Sequence, residues 1–276
     1  MLVPNGLRRT RWYRAPNFTD FPKPKGPALM KIGLLGTGNI GRTLARKLPA
    51  AGHDLKIANS RGPDTIDADM LGQGARAVTA EEALADVDVA ILSIPFNALP
   101  KIKHLIDTLP EDVVVIDTSN YYPGRDGKIA EIDAGQIESE WVGEQIGRSV
   151  VKAWNAIGCD SFATKAKPKG APRRIAIPVA GDRKDHREVA IALVEDTGFD
   201  GYDAGTLAGS WRQQPAAPAY TTDLTSGEMG PALAAAERDR LPMRRDLTFA
   251  LVMERLGEGV PPDAEWGLKL SRAINM

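Results

Sequence analysis

Lys31-Ile-Gly-Leu-Leu-Gly36-Thr-Gly38-Asn-Ile-Gly41 decides the fold of this chain. Ile32 to Leu35 is a short apolar run of the kind that forms a buried parallel strand. Gly36 is predicted to make the tight turn out of that strand. Gly38 would let the backbone approach a pyrophosphate closely, and Gly41 would let the next helix pack against the strand. The helix is expected from Asn39 to about Leu48, with Ile40, Leu44 and Leu48 on one face and Pro49 and Gly52 marking its end. Its free N-terminal amides and dipole would face the pyrophosphate. A second strand, Asp54 to Ala58, follows on schedule.

The end of that second strand separates NAD from NADP. An NAD site places Asp or Glu there to bind the ribose hydroxyls. This chain has Asn59-Ser60-Arg61, with no carboxylate. Ser60 can donate a hydrogen bond to a 2′-phosphate, and Arg61 can pair with it through a permanently charged planar guanidinium. The ordinary alternative is a turn serine and a solvated arginine. The pattern favours NADP(H).

Outward from this unit, strand signals alternate with helix signals. This predicts an α/β fold, a Rossmann-type doubly wound parallel sheet covered on both faces. Further strands are expected at 75–78, 87–94, 113–117 and 150–154. Thr79 and Glu82 have capping-box spacing and open a brief helix. Another helix should run to Leu109, with Pro100 in its first turn. Residues 118–127 form a long polar loop, and a helix is expected over 138–146. Beyond Asn155 the sheet continues with strands at 174–180 and 199–203 around a helix at 185–196. Helices at 231–240, 242–256 and 262–274 close the chain.

Ligands of open α/β sheets collect beyond the strand carboxyl ends. That places the glycine turn, Ser93-Ile94-Pro95, Thr118 to Tyr122, and Asn155 around one crevice. Asn120 can hydrogen-bond a carboxamide or shape an Asx-turn. Asn155 can serve a ligand or cap a loop. Trp154 reads as a core residue. Tyr121 and Tyr122 can stack on an acceptor or pack within the protein. Trp211, set among polar residues, can wall an acceptor pocket. Lys165, Lys167, Lys169, Arg173 and Arg174 can attract an anionic tail or form a solvated loop.

Composition narrows the function. The chain has 276 residues, a formal net charge of −1 and one cysteine. Near-neutral charge argues against non-specific nucleic-acid binding. No apolar run approaches a membrane span. The single Cys159 fits a reducing, cytoplasmic setting. Three scattered histidines argue against a metal site. Residues 1–29 are basic and proline-rich, without the apolar stretch of a secretory signal. They read as a disordered or spurious extension.

Five motifs together resemble a known family: Gly36-Thr-Gly-Asn-Ile-Gly41, Asn59-Ser-Arg-Gly-Pro63, Asp117-Thr-Ser-Asn-Tyr-Tyr-Pro123, Val151-Lys-Ala-Trp-Asn155 and Ser210-Trp-Arg-Gln-Gln-Pro215. They are similar to the bacterial branch of NADPH-dependent coenzyme F420 reductases, and the N-terminal part also resembles the NADPH domain of metalloreductases. The resemblance implies a dinucleotide domain over 30–157. It also implies a 158–276 region that extends the sheet and ends in a small, mostly helical lobe over the nicotinamide. Carried over by motif, Thr37, Asn39 and Ile40 would meet the pyrophosphate, Ser60 and Arg61 the 2′-phosphate, and Ser93, Ile94 and Pro95 the nicotinamide. Asn155 and Trp211 would lie near a small-molecule acceptor, with coenzyme F420 as co-substrate and a homodimer through the C-terminal helices. Hydride exchange between two stacked heterocycles needs no dedicated acid or base. Asn120, Asn155 and Trp211 are therefore the candidates on the reacting side, and no catalytic dyad is evident. A flavin, quinone-like or imine acceptor, or a non-catalytic NADP(H) sensor, are the alternatives.

Overall fold

The computed structural model describes residues 29–72, 74–257 and 263–276. The expected basic extension, apart from Leu29, and the Pro261–Pro262 helix break lie outside the described residues. The chain runs β1 (Lys31–Leu35), α1 (Asn39–Ala50), β2 (Asp54–Ala58), β3 (Arg76–Ala77), α2 (Ala80–Leu84), β4 (Val89–Leu92), α3 (Lys103–Ile106) and β5 (Val114–Asp117). Then come α4 (Pro123–Asp126), α5 (Ala130–Asp133), α6 (Glu138–Ile146), β6 (Val151–Lys152), α7 (Cys159–Thr164), β7 (Ala176–Gly181), α8 (Lys184–Asp196) and β8 (Asp200–Asp203). Three helices close it: α9 (Ser226–Ala234), α10 (Leu241–Gly257) and α11 (Ala264–Asn275).

One sheet of eight strands has the order β3-β2-β1-β4-β5-β6-β7-β8. The order reverses between β1 and β4, which is the switch point of a doubly wound sheet. β1 to β6 are parallel. Contrary to the all-parallel expectation, β7 runs antiparallel to β6, with β8 parallel to β7. Apolar side chains fill both faces. Ile32, Leu34, Leu44, Ile57 and Ile91 lie in one core layer. Leu35, Leu92, Phe96, Tyr121 and Trp141 lie in the other.

Several elements differ from the sequence reading for identifiable reasons. The helix expected after β4 is a 3₁₀ stretch, Phe96–Ile102, followed by the single-turn α3. Pro100 falls inside that stretch rather than at its start, and its missing N–H blocks an α-helical ladder. β6 stops at Lys152 because Trp154 takes φ 55° and turns the chain out of the sheet. The first C-terminal helix begins at Ser226, not Pro231. A Thr225–Glu228 capping box fixes its start and Pro231 sits inside it. The expected 118–127 loop contains α4, with Pro123 at its first position. The Thr79–Glu82 capping box is present as expected.

Candidate active site

Register assembles the site. Ala58, Leu35, Leu92, Asp117 and Lys152 form one lateral row across β2, β1, β4, β5 and β6. The segments that leave this row are stitched to their neighbours. Gly36 N–H donates to the Ala58 carbonyl at 2.8 Å, Ser93 N–H to Leu35 at 2.8 Å, and Thr118 N–H to Leu92 at 3.1 Å. The glycine turn, the Asn59 loop, Ser93 to Pro95 and Thr118 to Asn120 therefore emerge side by side.

The glycine turn has the geometry that a pyrophosphate needs. Gly36 adopts φ 112°, and a Cβ there would lie 2.0 Å from the Ser93 carbonyl oxygen. A Cβ on Gly41 would lie 2.2 Å from the Gly36 carbonyl oxygen. Both positions are packed shut. At Gly38, between them, a Cβ would meet nothing within 4 Å, and the residue is exposed. Gly38 is also the N-cap of α1, without a side-chain cap, and the first turn of the helix has no acidic residue. The helix thus presents uncapped amides to an open space, which suits an anion. Thr37 and Ile40 flank this opening half-buried. Asn39 reaches across it, donating from Nδ2 to Cys159 Sγ at 3.8 Å.

Asn59 organises the loop after β2. Its Oδ1 accepts from Arg61 N–H at 2.8 Å, and its Nδ2 donates to Thr65 Oγ1 at 3.0 Å. Ser60 and Arg61 are left exposed. Among the described residues the Arg61 guanidinium has no ion pair, whereas nearby Arg42 and Arg46 are held by Asp67 and Asp69. Ser60 and Arg61 could therefore hold a 2′-phosphate without giving up an internal bond. Ser93 packs against the glycine turn, and Ile94 Cγ2 lies 3.1 Å from the Cβ position of Gly36. Pro95 is exposed.

Asn120 and Asn155 meet directly. Asn155 Nδ2 donates to Asn120 Oδ1 at 3.1 Å and to the Gln213 carbonyl at 2.8 Å, while Asn155 Oδ1 accepts from Gln213 Nε2 at 3.0 Å. Asn120 Nδ2 donates to the Asn155 carbonyl at 2.9 Å and to Tyr220 Oη at 3.4 Å. The Asn155 side chain is buried with its amide protons and its oxygen all engaged within the protein. It holds β6, the turn after β5 and the 207–213 segment together. Trp211 is half-buried, with Arg212 4.2 Å and Arg238 5.8 Å from its ring centre. It borders a hollow of about 310 Å³ with Ile137, Glu138 and Arg245 that includes neither asparagine. Trp154 is fully buried, and its Nε1 donates to Thr197 Oγ1 at 3.4 Å. Tyr121 is buried too, with its hydroxyl between Asp133 and the Ile129 amide.

Beneath the crevice lies a charged floor that the sequence reading missed. Lys152 and Asp117 are both completely buried and paired at 2.8 Å. Lys152 Nζ also donates to the Ser119 carbonyl, and Asp117 Oδ1 accepts from Ser119 N–H at 2.9 Å. Glu138, the first residue of α6, accepts from Tyr121 N–H at 3.2 Å. Burial pushes its carboxyl up to about 7, opposed by nearby Lys152. A first-turn glutamate ordinarily reads as a surface residue at a helix N-terminus. Tyr220 also escaped notice, because nothing in its local sequence marks it. Gln213 stood inside a quoted motif without being singled out. The basic run is largely tied down: Lys165 to Asp223, Lys167 to the Pro172 and Arg173 carbonyls, Lys169 to Glu195, and buried Arg174 to Asp200. No helix among the described residues is long and apolar enough to cross a membrane, and no metal-binding cluster occurs among them.

The chain is similar to several known proteins. Residues 31–121 match the family described as NADP oxidoreductase, coenzyme F420-dependent. Putative protein YjhV of Escherichia coli strain K12 is 43% identical over 108 residues, which are 39% of this chain and 77% of that protein. Metalloreductase STEAP3 of Rattus norvegicus is 28% identical over 189 residues, 68% of this chain but only 36% of the metalloreductase. The solved structure of a putative F420-dependent NADP reductase from Arthrobacter sp. FB24 superposes with a TM-score of 0.53 at 18% identity. That superposition covers 80% of this chain and 94% of that one, and it shows a shared fold. With its glycine turn, Asn59-Ser60-Arg61 at the end of β2 and the family match over residues 31–121, the chain belongs to the family of coenzyme F420-dependent NADP oxidoreductases.

Proposed function

We propose that this protein transfers a hydride between NADPH and a deazaflavin acceptor, coenzyme F420. The observation that carries the NADPH half is the pairing of an open Gly38 cradle with unpartnered Ser60 and Arg61 beside it. The nicotinamide, when bound, supplies the hydride from C4. The protein's residues bind, orient and exclude water. Gly36, Gly38 and Gly41, with Thr37, Asn39 and Ile40, cradle the pyrophosphate. Asn59 shapes the loop from which Ser60 and Arg61 grip the 2′-phosphate. Ser93, Ile94 and Pro95 line the nicotinamide. Asn120 and Asn155 set the far wall, and Trp211 braces the segment that carries Gln213. On this reading residues 30–157 hold the nucleotide, and residues 158–276 extend the sheet and cover the nicotinamide.

The F420 assignment is supported by the family match over residues 31–121. A stacked hydride exchange needs position more than proton chemistry. The test is the absorbance of oxidised coenzyme F420 mixed with NADPH and purified protein. Loss of the oxidised-deazaflavin band, faster with NADPH than with NADH, is expected. Tight NADPH binding without loss of that band would move the assignment to a flavin, quinone or imine acceptor, or to a sensor. We also propose a cytoplasmic homodimer joined through α10, where Met243, Leu247 and Leu251 are 66%, 51% and 37% exposed at successive four-residue steps.

A further inference from the structure

Tyr122 and Tyr220 form a hydroxyl pair beside Asn120, with their oxygens 2.8 Å apart. Two hydroxyls bring two protons, and one of them bridges the pair. Asn120 Nδ2 donates to Tyr220 Oη at 3.4 Å, so it supplies a proton rather than taking one. Asn120 Oδ1 is engaged by Asn155. Among the described residues no acceptor takes the second hydroxyl proton. A donor beside Asn120, beyond the carboxyl end of β5, is thus left over by the protein's own hydrogen-bond accounting.

Both rings are held firmly. Tyr122 lies 5.7 Å from the Phe249 ring and 5.2 Å from the Arg125 guanidinium, which itself donates to the Asn120 carbonyl at 2.6 Å. Asn275 Nδ2 donates to the Tyr220 carbonyl at 3.1 Å, and the next residue, Thr221, donates from its amide to Ala156 at 2.8 Å. The chain around Tyr220 is strained. Ala216, Thr221 and Asp223 have φ of 74°, 54° and 55°, and Trp154, one residue before Asn155, has 55°. Left-handed backbone at non-glycine residues costs on the order of 1–3 kcal/mol each and gathers where a site must be held open. Burial opposes ionisation of both hydroxyls, pushing the pKa of Tyr122 up to about 12 and that of Tyr220 well above the ordinary tyrosine range. They remain neutral donors at any working pH.

We propose that the Tyr122–Tyr220 hydroxyl pair is the acceptor-recognition subsite, donating its unshared proton as a hydrogen bond to a carbonyl oxygen or ring nitrogen conjugated with the carbon that receives hydride. This rests on the reading that the crevice holds NADPH and an acceptor. In the balanced step, a hydride, one proton carrying two electrons, passes from nicotinamide C4 to the acceptor carbon. The displaced π pair settles on the conjugated heteroatom, which takes a proton from water, and NADP⁺ is left. The tyrosine keeps its own proton and stabilises the charge that develops on the heteroatom. The acceptor class this selects is a planar conjugated ring with a hydrogen-bond-accepting heteroatom, as deazaflavins have; a flavin takes the hydride at ring N5 instead of at carbon and places the same charge on its conjugated heteroatom.

The test compares the wild type with Y220F, Y122F and the double variant. Four quantities are measured: NADPH affinity by nicotinamide fluorescence, melting temperature, quenching of oxidised F420 on binding to the protein–NADP⁺ complex, and kcat/KM with oxidised F420, FMN and menadione. For Y220F we expect NADPH affinity and melting temperature close to wild type. Its kcat/KM should fall ~10- to 100-fold, with weaker F420 quenching, as for a lost oxyanion donor. Y122F should lose several-fold, because Tyr220 keeps its proton but loses the polarising partner, and the double variant should be no worse than Y220F. Equal kcat/KM in wild type and Y220F overturns the subsite while leaving the proposed function standing. Loss of NADPH binding in Y220F overturns it by assigning the hydroxyl to the cofactor. A wild type that binds NADPH and reduces none of the three acceptors overturns both readings. If Y220F does not fold, Y122F decides alone: an unchanged kcat/KM overturns the subsite.

Discussion

At Arg61, charge without a partner is the informative feature. Arginines nearby on α1 are committed to carboxylates, while Arg61 is exposed and, among the described residues, unpaired. Its backbone is nonetheless fixed by Asn59. A guanidinium aimed at a 2′-phosphate gains charge-assisted, bidentate bonds that NADH cannot offer. Arg61→Ala should weaken NADPH binding ~10- to 100-fold and leave NADH within about twofold. Calorimetric titration of both nucleotides checks this, and equal losses would sink the assignment. The glycines give a second contrast. Gly38→Val enters open space at φ −68°, an angle that valine tolerates, so the protein should melt near the wild-type temperature yet bind NADPH at least ~10-fold more weakly. Gly41→Ala forces a Cβ to within 2.2 Å of backbone oxygen and should lower the melting temperature itself.

At the scale of elements, β1, α1 and β2 were legible almost to the residue. A turn requiring glycine at fixed offsets, a buried apolar run and a helix stop all coincide there. α6 was expected around 138–146 and spans Glu138–Ile146. The elements that escaped were decided by distant contacts. Trp154 leaves the sheet because the core accepts its ring at φ 55°, which no local pattern encodes. The antiparallel β7 depends on how residues 156–175 return, and α9 starts after a capping-box threonine six residues ahead of the proline that looked like a start. The proposed NADP side of the site was legible because backbone geometry dictates its residue types. The proposed acceptor side was legible only as asparagines, since their partners, Gln213 and Tyr220, come 58 and 100 residues after the groups they bond. Asn155 joins these elements, so Asn155→Ala takes the donor from the carbonyl of buried Gln213 and from the half-buried Asn120 Oδ1. Each buried orphan costs ~1–3 kcal/mol. We expect a drop of several kcal/mol in unfolding free energy, read by urea titration, with Asn155→Asp milder. A change under 1 kcal/mol would make the asparagine network incidental.

For the whole molecule, the buried charges tie the sheet to the C-terminal lobe and set a pH dependence. Glu138 on α6 faces Lys152 from β6, Asp117 from β5 and Arg245 from α10, with the Tyr121 amide donating to it. Desolvation is the dominant influence, and it raises the carboxyl from 4.5 to about 7. The folded state therefore holds a proton between these values that the unfolded chain has released. Stability from this group is complete below pH 4.5 and is lost as pH rises through about 7. The interval corresponds to ~3 kcal/mol. Glu138→Gln cannot ionise, keeps an oxygen for the Tyr121 amide and removes only the titration. Its unfolding free energy relative to wild type should climb by ~3 kcal/mol between pH 4 and pH 8, with nearly all of the change between pH 4.5 and 7. Other groups that titrate in this range, His186 among them, are common to both proteins and cancel in the difference. A difference that stays flat across the range would mean that Lys152 and Arg245 keep the Glu138 carboxylate ionised throughout. The floor of the crevice would then carry a compensated charge instead of a protonated acid.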